Sequence, residues 1–228
     1  MPDLAERLAD VDARIAAAVR ASGRAPDEVT RIVVTKFHPP ALIGQLHALG
    51  VRDVGENRQQ ELTAKRAELA DLDGLRWHFI GQAQTNKARA VRAAADVVHS
   101  VDRARIADAL DAADPEGRPL EVLLQVNLTE DPGRGGVRPT ELEPLAAHLV
   151  ERCTGLHVRG VMAVAPLGEE PAAAFARLAQ ASDVLRSVAP DATWISAGMT
   201  GDFVEAIAAG ATHLRIGSAI TGPRPDRG

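Results

Sequence analysis

The chain has 228 residues, which is long enough to bury a hydrophobic core without help from disulfides or metals. Its formal net charge of -5 argues against a broad nucleic-acid-binding surface, since such a surface needs an excess of basic residues. The single cysteine, Cys153, excludes an intramolecular disulfide, and no apolar run is long enough to cross a bilayer. We therefore expect a cytoplasmic protein that binds neither nucleic acid nor membrane.

The first predicted element is an amphipathic helix over residues 3–21. Its apolar residues recur every three or four positions and would share one face, which is typical of a helix packed on a core. These residues are Leu4, Leu8, Val11, Ile15 and Val19. Gly23 follows the last turn and is predicted to end the helix.

After this helix, short β-like runs alternate with helix-like runs. The β-like runs cover 31–35, 51–54, 77–80, 97–101, 122–127, 156–161, 193–196 and 213–216. The helix-like runs begin near Pro40, Arg58, Thr85, Arg103, Thr140, Pro171 and Gly201. Parallel strands need helical crossovers, so this order predicts the α/β class. We predict one domain over residues 1–228, a (β/α)8 TIM barrel with an extra N-terminal helix, and keep an open doubly wound sheet as the alternative.

Functional groups of a parallel barrel lie where strands end, and Lys36 directly follows the first predicted strand. An amine partly shielded from water at this rim would be a nucleophile, because shielding disfavours the ammonium form. The alternative is a lysine that pairs with a carboxylate or extends to water. The chain has only three lysines, Lys36, Lys65 and Lys87, and most of its positive charges are arginines. This scarcity slightly favours a chemical role for the amine of a lysine that is present.

Polar residues also follow the second and third predicted strands. Asn57 could face a ligand at the barrel mouth, or it could cap the helix that begins nearby. His78 lies inside the third strand, where we predict a hydrogen-bonded core residue and not a catalyst. Gly81 and the amides Gln82 and Gln84 come next and predict a polar rim.

The loops after the seventh and eighth strands, residues 196–202 and 215–218, are turns rich in glycine and hydroxyl residues. Free N–H groups at a helix start bind anions, and TIM barrels often hold phosphate at these two loops. Neither a Walker A loop nor a dinucleotide-binding glycine motif occurs at a junction between strand and helix. A phosphorylated aldehyde joined to a lysine would suit both the amine and the phosphate-binding turns.

Over nearly its whole length the chain resembles the pyridoxal phosphate homeostasis proteins. The resemblance rests on several short motifs in the same order and spacing. They cover residues 34–36, 55–57, 77–81, 84–87, 125–127, 160–162, 196–199 and 215–218. It implies the fold of the N-terminal domain of alanine racemase, with pyridoxal 5′-phosphate (PLP) as the cofactor.

The resemblance also implies roles for individual residues. Lys36 would hold PLP as a Schiff base, and Asn57 would lie near the ring. Ser196 and the backbone N–H groups of Gly217 and Ser218 would bind the phosphate. The full predicted cofactor-binding set is Lys36, Asn57, Ser196, Met199, Arg215, Gly217 and Ser218, with no catalytic residue and no metal ligand.

Arg215 would face the pyridine nitrogen of the cofactor. Because arginine only donates hydrogen bonds, that nitrogen would stay unprotonated, which weakens the ring as an electron sink. The resemblance thus implies a PLP carrier with little or no catalysis, which serves intracellular PLP homeostasis and supplies PLP-dependent apoenzymes. We expect a monomer, because no long exposed apolar helix face is predicted.

Two alternatives remain open. One is a PLP-dependent amino-acid racemase or related enzyme. Racemases of the alanine type use a lysine and a tyrosine as bases, and this chain has no tyrosine, although His or Cys could replace it. The other is a barrel for a different phosphorylated metabolite, in which Lys36 is only an ion-pair donor.

Overall fold

The computed structural model describes residues 2–113, 117–131 and 133–224. In this part of the chain, eight parallel strands form a closed barrel in sequence order, and β8 pairs back onto β1. The strands are β1 Thr30–Val34, β2 Asp53–Glu56, β3 Arg76–Phe79, β4 Val97–Val101, β5 Leu120–Gln125, β6 Leu156–Met162, β7 Trp194–Ser196 and β8 His213–Ile216. The closure confirms the predicted TIM barrel and rules out the open sheet.

Helices follow the strands around the outside of the barrel, and one extra helix precedes β1. They are α1 Leu4–Ala21, α2 Pro40–Ala48, α3 Gln59–Glu68, α4 Ala88–Ala94, α5 Ala104–Asp111, α6 Leu142–Arg152, α7 Pro171–Val188, α8 Phe203–Ala208 and α9 Ser218–Thr221. The apolar faces of these helices pack on the outer faces of the strands in one continuous core. No helix in the described ranges is long and apolar enough to span a membrane.

Helix α1 confirms the prediction for residues 3–21. Its predicted apolar face is buried apart from the partly exposed first residue, Leu4. Asp3 and Glu6 form a capping box, in which each carboxylate accepts a hydrogen bond from the other residue's backbone N–H. The helix packs against α8 and α9, so it covers the barrel beside the last two loops.

Some predicted boundaries were wrong. The second strand was predicted over 51–54 and lies at Asp53–Glu56, because pairing with β1 and β3 overrides the loop-like glycine and acids of this segment. The helix predicted near Thr85 starts as a 3-10 turn and becomes α4 at Ala88. Helix α9 was missed, since four residues carry no readable periodicity. The extent of a single domain over 1–228 stays a prediction, as residues 1, 114–116, 132 and 225–228 lie outside the described ranges.

Candidate functional site

A cavity of about 410 Å³ opens at the carboxyl ends of the strands, within the size range of small-molecule sites. Its walls are formed by Val34, Lys36, Asn57, Ile80, Val164, Met199, Thr200, Gly201, Arg215, Gly217 and Ser218. A larger cavity of about 520 Å³ lies at the other end, around the start of β6 and the end of α7. TIM barrels keep their active sites at the carboxyl end, so the first cavity is the candidate site.

The cavity brings together six of the seven residues predicted to bind a cofactor, all except Ser196. It also includes Thr200 and Gly201, which sequence reasoning did not select. The sequence could have indicated Thr200, because it carries a hydroxyl in the same glycine-containing turn after the seventh strand. Val34, Ile80 and Val164 supply apolar wall that no motif indicated.

Lys36 directly follows β1 and borders the cavity, as predicted, and it belongs to the exposed residues. The chain makes a turn immediately after the strand. The next residue, Phe37, has a φ of 69°, which is unusual for a bulky side chain. Its N–H donates to the Glu61 carboxylate over 2.8 Å, and this bond helps to hold the turn.

A buried ion pair anchors the residue before Lys36. Lys65 Nζ lies 2.7 Å from Glu56 Oε1 and donates to the backbone carbonyl oxygen of Thr35 over 3.0 Å. The Thr35 hydroxyl donates to the same Glu56 oxygen over 2.6 Å. Burial raises the pKa of Glu56, although Lys65 and Thr35 act in the opposite direction. Lys65 therefore serves as a structural cation beneath the Lys36 turn.

Asn57 borders the cavity without capping a helix. Helix α3 follows Arg58, and no side chain caps it. The Asn57 Oδ1 atom is buried and has no hydrogen-bond partner within the described chain. Gly81 makes this placement possible, because a Cβ there would lie only 1.8 Å from the Asn57 carbonyl oxygen. A buried amide oxygen without a partner is suited to a hydrogen bond with a ligand.

Arg215 is a buried cation at the floor of the cavity. Its Nη1 donates to Ser196 Oγ over 2.7 Å, and its Nη2 donates to the Ala163 carbonyl oxygen over 2.8 Å. Burial lowers the pKa of Arg215 to about 10, so it stays protonated at neutral pH. Ser196 lies beneath Arg215, away from the cavity surface, because β7 ends with this side chain pointing into the barrel.

The turns after β7 and β8 form the opposite wall. Gly198 has a φ of 89°, and a Cβ there would lie 2.7 Å from that of Ala206, so the turn needs glycine. Asp202 accepts a hydrogen bond from Met199 N–H over 2.6 Å and tightens this turn. Helix α9 begins at Ser218 beside it, and the first N–H groups of a helix lack partners within the helix. This wall is therefore suited to an anion.

Three buried histidines predict loss of stability in acid. Burial lowers the pKa of His78 and His99, and it lowers that of His213 to about 3. The unfolded chain takes up protons below about pH 6.5 while these side chains stay neutral in the fold. We expect the free energy of unfolding, measured in urea, to fall between pH 7 and pH 5 by up to about 2 kcal/mol for each of these histidines.

The exposed His157 provides the control for this expectation. His157→Gln should leave the pH dependence unchanged, whereas His213→Gln should remove about a third of it, since one of three sites is lost. Equal slopes for His213→Gln and the unsubstituted protein would contradict the assignment of buried neutral histidines.

Comparison with known proteins places this chain in a family. Residues 10–225 match the family described as the N-terminal domain of alanine racemase. A pyridoxal phosphate homeostasis protein from Pseudomonas aeruginosa is 42% identical over 225 residues, which is 98% of this chain and 97% of that protein. This chain belongs to the pyridoxal phosphate homeostasis protein family. The family resemblance predicted from the motifs is confirmed.

Other members agree with this assignment. The pyridoxal phosphate homeostasis protein of Escherichia coli K12 is 39% identical over 230 residues, covering 98% of each chain. PipY from Synechococcus elongatus, solved with PLP bound, matches with a TM-score of 0.84 and 38% identity over 96% of this chain and 100% of PipY. Alanine racemase from Corynebacterium glutamicum shares the fold, with a TM-score of 0.66 at 15% identity over 96% of this chain and 62% of the racemase.

Proposed function

We propose that this protein binds PLP in the cavity at the barrel mouth, holds it as a Schiff base on Lys36, and serves PLP homeostasis. The observation that carries the proposal is the convergence of an accessible amine, a buried arginine and an anion-binding wall on one cavity of about 410 Å³. The family membership favours PLP as the phosphorylated aldehyde.

The residues present fit this cofactor. The unpartnered Asn57 oxygen offers a hydrogen-bond acceptor beside Lys36, and apolar wall from Val34 and Ile80 suits an aromatic ring. Thr200 and the start of α9, Gly217 and Ser218, offer a hydroxyl and helix N–H groups to a phosphate. Met199 completes this wall. Ser196, predicted to bind the phosphate, fits better as the support of Arg215.

The chemistry of the residues favours a carrier. PLP supplies an aldehyde that joins an amine with loss of water, and a ring that can accept electrons when its nitrogen is protonated. Lys36 provides the amine for this linkage. Arg215 can only donate a hydrogen bond to the ring nitrogen, so it disfavours protonation there.

The racemase alternative lacks a second base at this site. The cavity walls, as far as the described residues form them, contain no His, Cys or Tyr side chain opposite Lys36. Racemisation needs proton transfer on both faces of a substrate. Delivery of PLP to apoenzymes, the monomeric state and the cytoplasmic location stay predictions.

An absorbance spectrum with PLP, before and after borohydride, tests the proposal. We expect an imine band that borohydride removes, with the reduced cofactor found on the Lys36 peptide by mass spectrometry after digestion. Attachment to Lys65 or Lys87 instead, or no imine band, would refute it. Incubation of the PLP-loaded protein with single amino-acid enantiomers should give no turnover, and many turnovers would favour the racemase.

A further inference from the structure

A chain of buried polar side chains crosses the barrel interior beneath the cavity. Ser196 Oγ, which receives the Arg215 hydrogen bond, lies 2.9 Å from His99 Nδ1. His99 Nε2 lies 2.9 Å from His78 Nδ1. His78 Nε2 lies 2.9 Å from Asp53 Oδ1 at the start of β2. This row of hydrogen-bonded side chains thus runs from the cavity floor to the opposite end of the barrel.

The chemistry of the groups allows one direction for these hydrogen bonds. Arg215 can only donate, so Ser196 accepts from it and has its own hydroxyl proton for His99 Nδ1. His99 must then carry its proton on Nε2 and donate it to His78 Nδ1. His78 in turn donates from Nε2 to the carboxylate of Asp53.

The protonation states agree with this direction. Burial lowers the pKa of His99 well below 6.5, and the positive charge of Arg215 acts in the same direction. Burial also lowers the pKa of His78, against the opposing effect of Asp53. Both rings are fully buried and each is fixed as one neutral tautomer by its two partners. Because these hydrogen bonds all run in one direction, from Ser196 toward Asp53, the hydroxyl proton of Ser196 cannot rotate toward Arg215.

We propose that His99 and His78 are positioning residues, which fix Ser196 as an acceptor and so hold the Arg215 guanidinium in place for the bound cofactor. Of the five N–H groups of Arg215, one donates to Ser196 and one to Ala163, so the Ser196 bond is one of two that fix the orientation of the guanidinium. The inference rests on the proposed function, because Arg215 matters to binding only if the cavity holds PLP.

A double-mutant cycle on PLP affinity, read by absorbance, tests the proposal. His99→Leu removes the acceptor for Ser196, and we expect the PLP Kd to rise about 10-fold. His99→Asn keeps an acceptor near the Nδ1 position and should stay within about 2-fold of the unsubstituted protein. In an Arg215→Leu background, His99→Leu should change the Kd less than about 2-fold, since its effect passes through Arg215.

A purely structural role gives a different result. Equal losses for His99→Leu and His99→Asn, or a 10-fold loss that persists without Arg215, would overturn the proposal. If His99→Leu does not fold, Ser196→Ala removes the same link by a smaller change and should reproduce the 10-fold loss and its dependence on Arg215. A Ser196→Ala protein that binds PLP normally would also overturn it.

A measurement on the protein without PLP separates this inference from the proposed function. The nitrogen-15 chemical shifts of the histidine rings report which ring nitrogen carries the proton. We expect neutral rings with the proton on Nε2 at both His78 and His99. A proton on His99 Nδ1 would overturn the proposed direction of the hydrogen bonds even if PLP binds. The expected tautomers would support that direction even if PLP does not bind.

Discussion

Replacing Lys36 by alanine will abolish the imine band of the PLP-treated protein and raise the PLP Kd by about 100-fold, which corresponds to about 2.7 kcal/mol. We expect the remaining affinity to come from the wall formed by the turns after β7 and β8 and from Arg215, which the substitution leaves in place. Titration with PLP, followed by absorbance and by borohydride reduction, measures both effects. The exposed position of Lys36 makes a folding defect unexpected.

Lys36→Arg separates the amine from the charge. Arginine keeps a positive charge at the cavity rim but does not form the Schiff base, so this variant should also lose the imine band. Lys87→Ala, which removes a lysine from outside the cavity, should behave like the unsubstituted protein. Full PLP affinity in Lys36→Arg would show that Lys36 is only an ion-pair donor, as in the alternative of another phosphorylated metabolite.

Replacing Lys65 by methionine will lower the free energy of unfolding by about 4 kcal/mol, because it leaves the Glu56 carboxylate buried without its counter-charge. Glu56 is fully buried, and Lys65 donates to its Oε1 atom. Among the described residues, Oε2 has no partner and only the Thr35 hydroxyl would still donate to Oε1, so one neutral hydrogen bond would remain for a buried charge. Urea unfolding at pH 7 measures the change.

A second substitution tests the cause. In Glu56→Gln/Lys65→Met the buried charge is gone, so this protein should be more stable than Lys65→Met alone. Lys87→Met is the matched control and should change stability by about 0.5 kcal/mol or less, since Lys87 is only half-buried. If the two substitutions simply add, the unpaired charge is not the source of the loss.

Prediction from the sequence succeeded where a feature depends on local order along the chain. The alternation of apolar runs with helical runs predicted the barrel, and the apolar face of α1 was predicted almost residue by residue. Lys36 was placed at the barrel mouth because it follows a strand directly. His78 was expected to be a hydrogen-bonded core residue, and its two partners confirm this.

The sequence could not show the direction of a side chain at the end of a strand. Ser196 and Thr200 belong to the same turn, and both carry a hydroxyl. Only the structure shows that Ser196 points down to His99 while Thr200 borders the cavity. The motif therefore identified a turn that borders the cavity, and the phosphate contact of Ser196 stays a prediction, while its hydroxyl accepts a hydrogen bond from Arg215.

The sequence by itself determined the order of the elements, the barrel class and the family, because strand and helix periodicities and short motifs are local properties. The tertiary structure decided which side chains meet across the barrel. His99 links His78 to Ser196, which lies 97 residues away in sequence, and Lys65 of α3 pairs with Glu56 at the end of the preceding strand. The His99 contacts arise because barrel closure turns β3, β4 and β7 toward one interior, where hydrogen-bond partners stabilise buried polar groups.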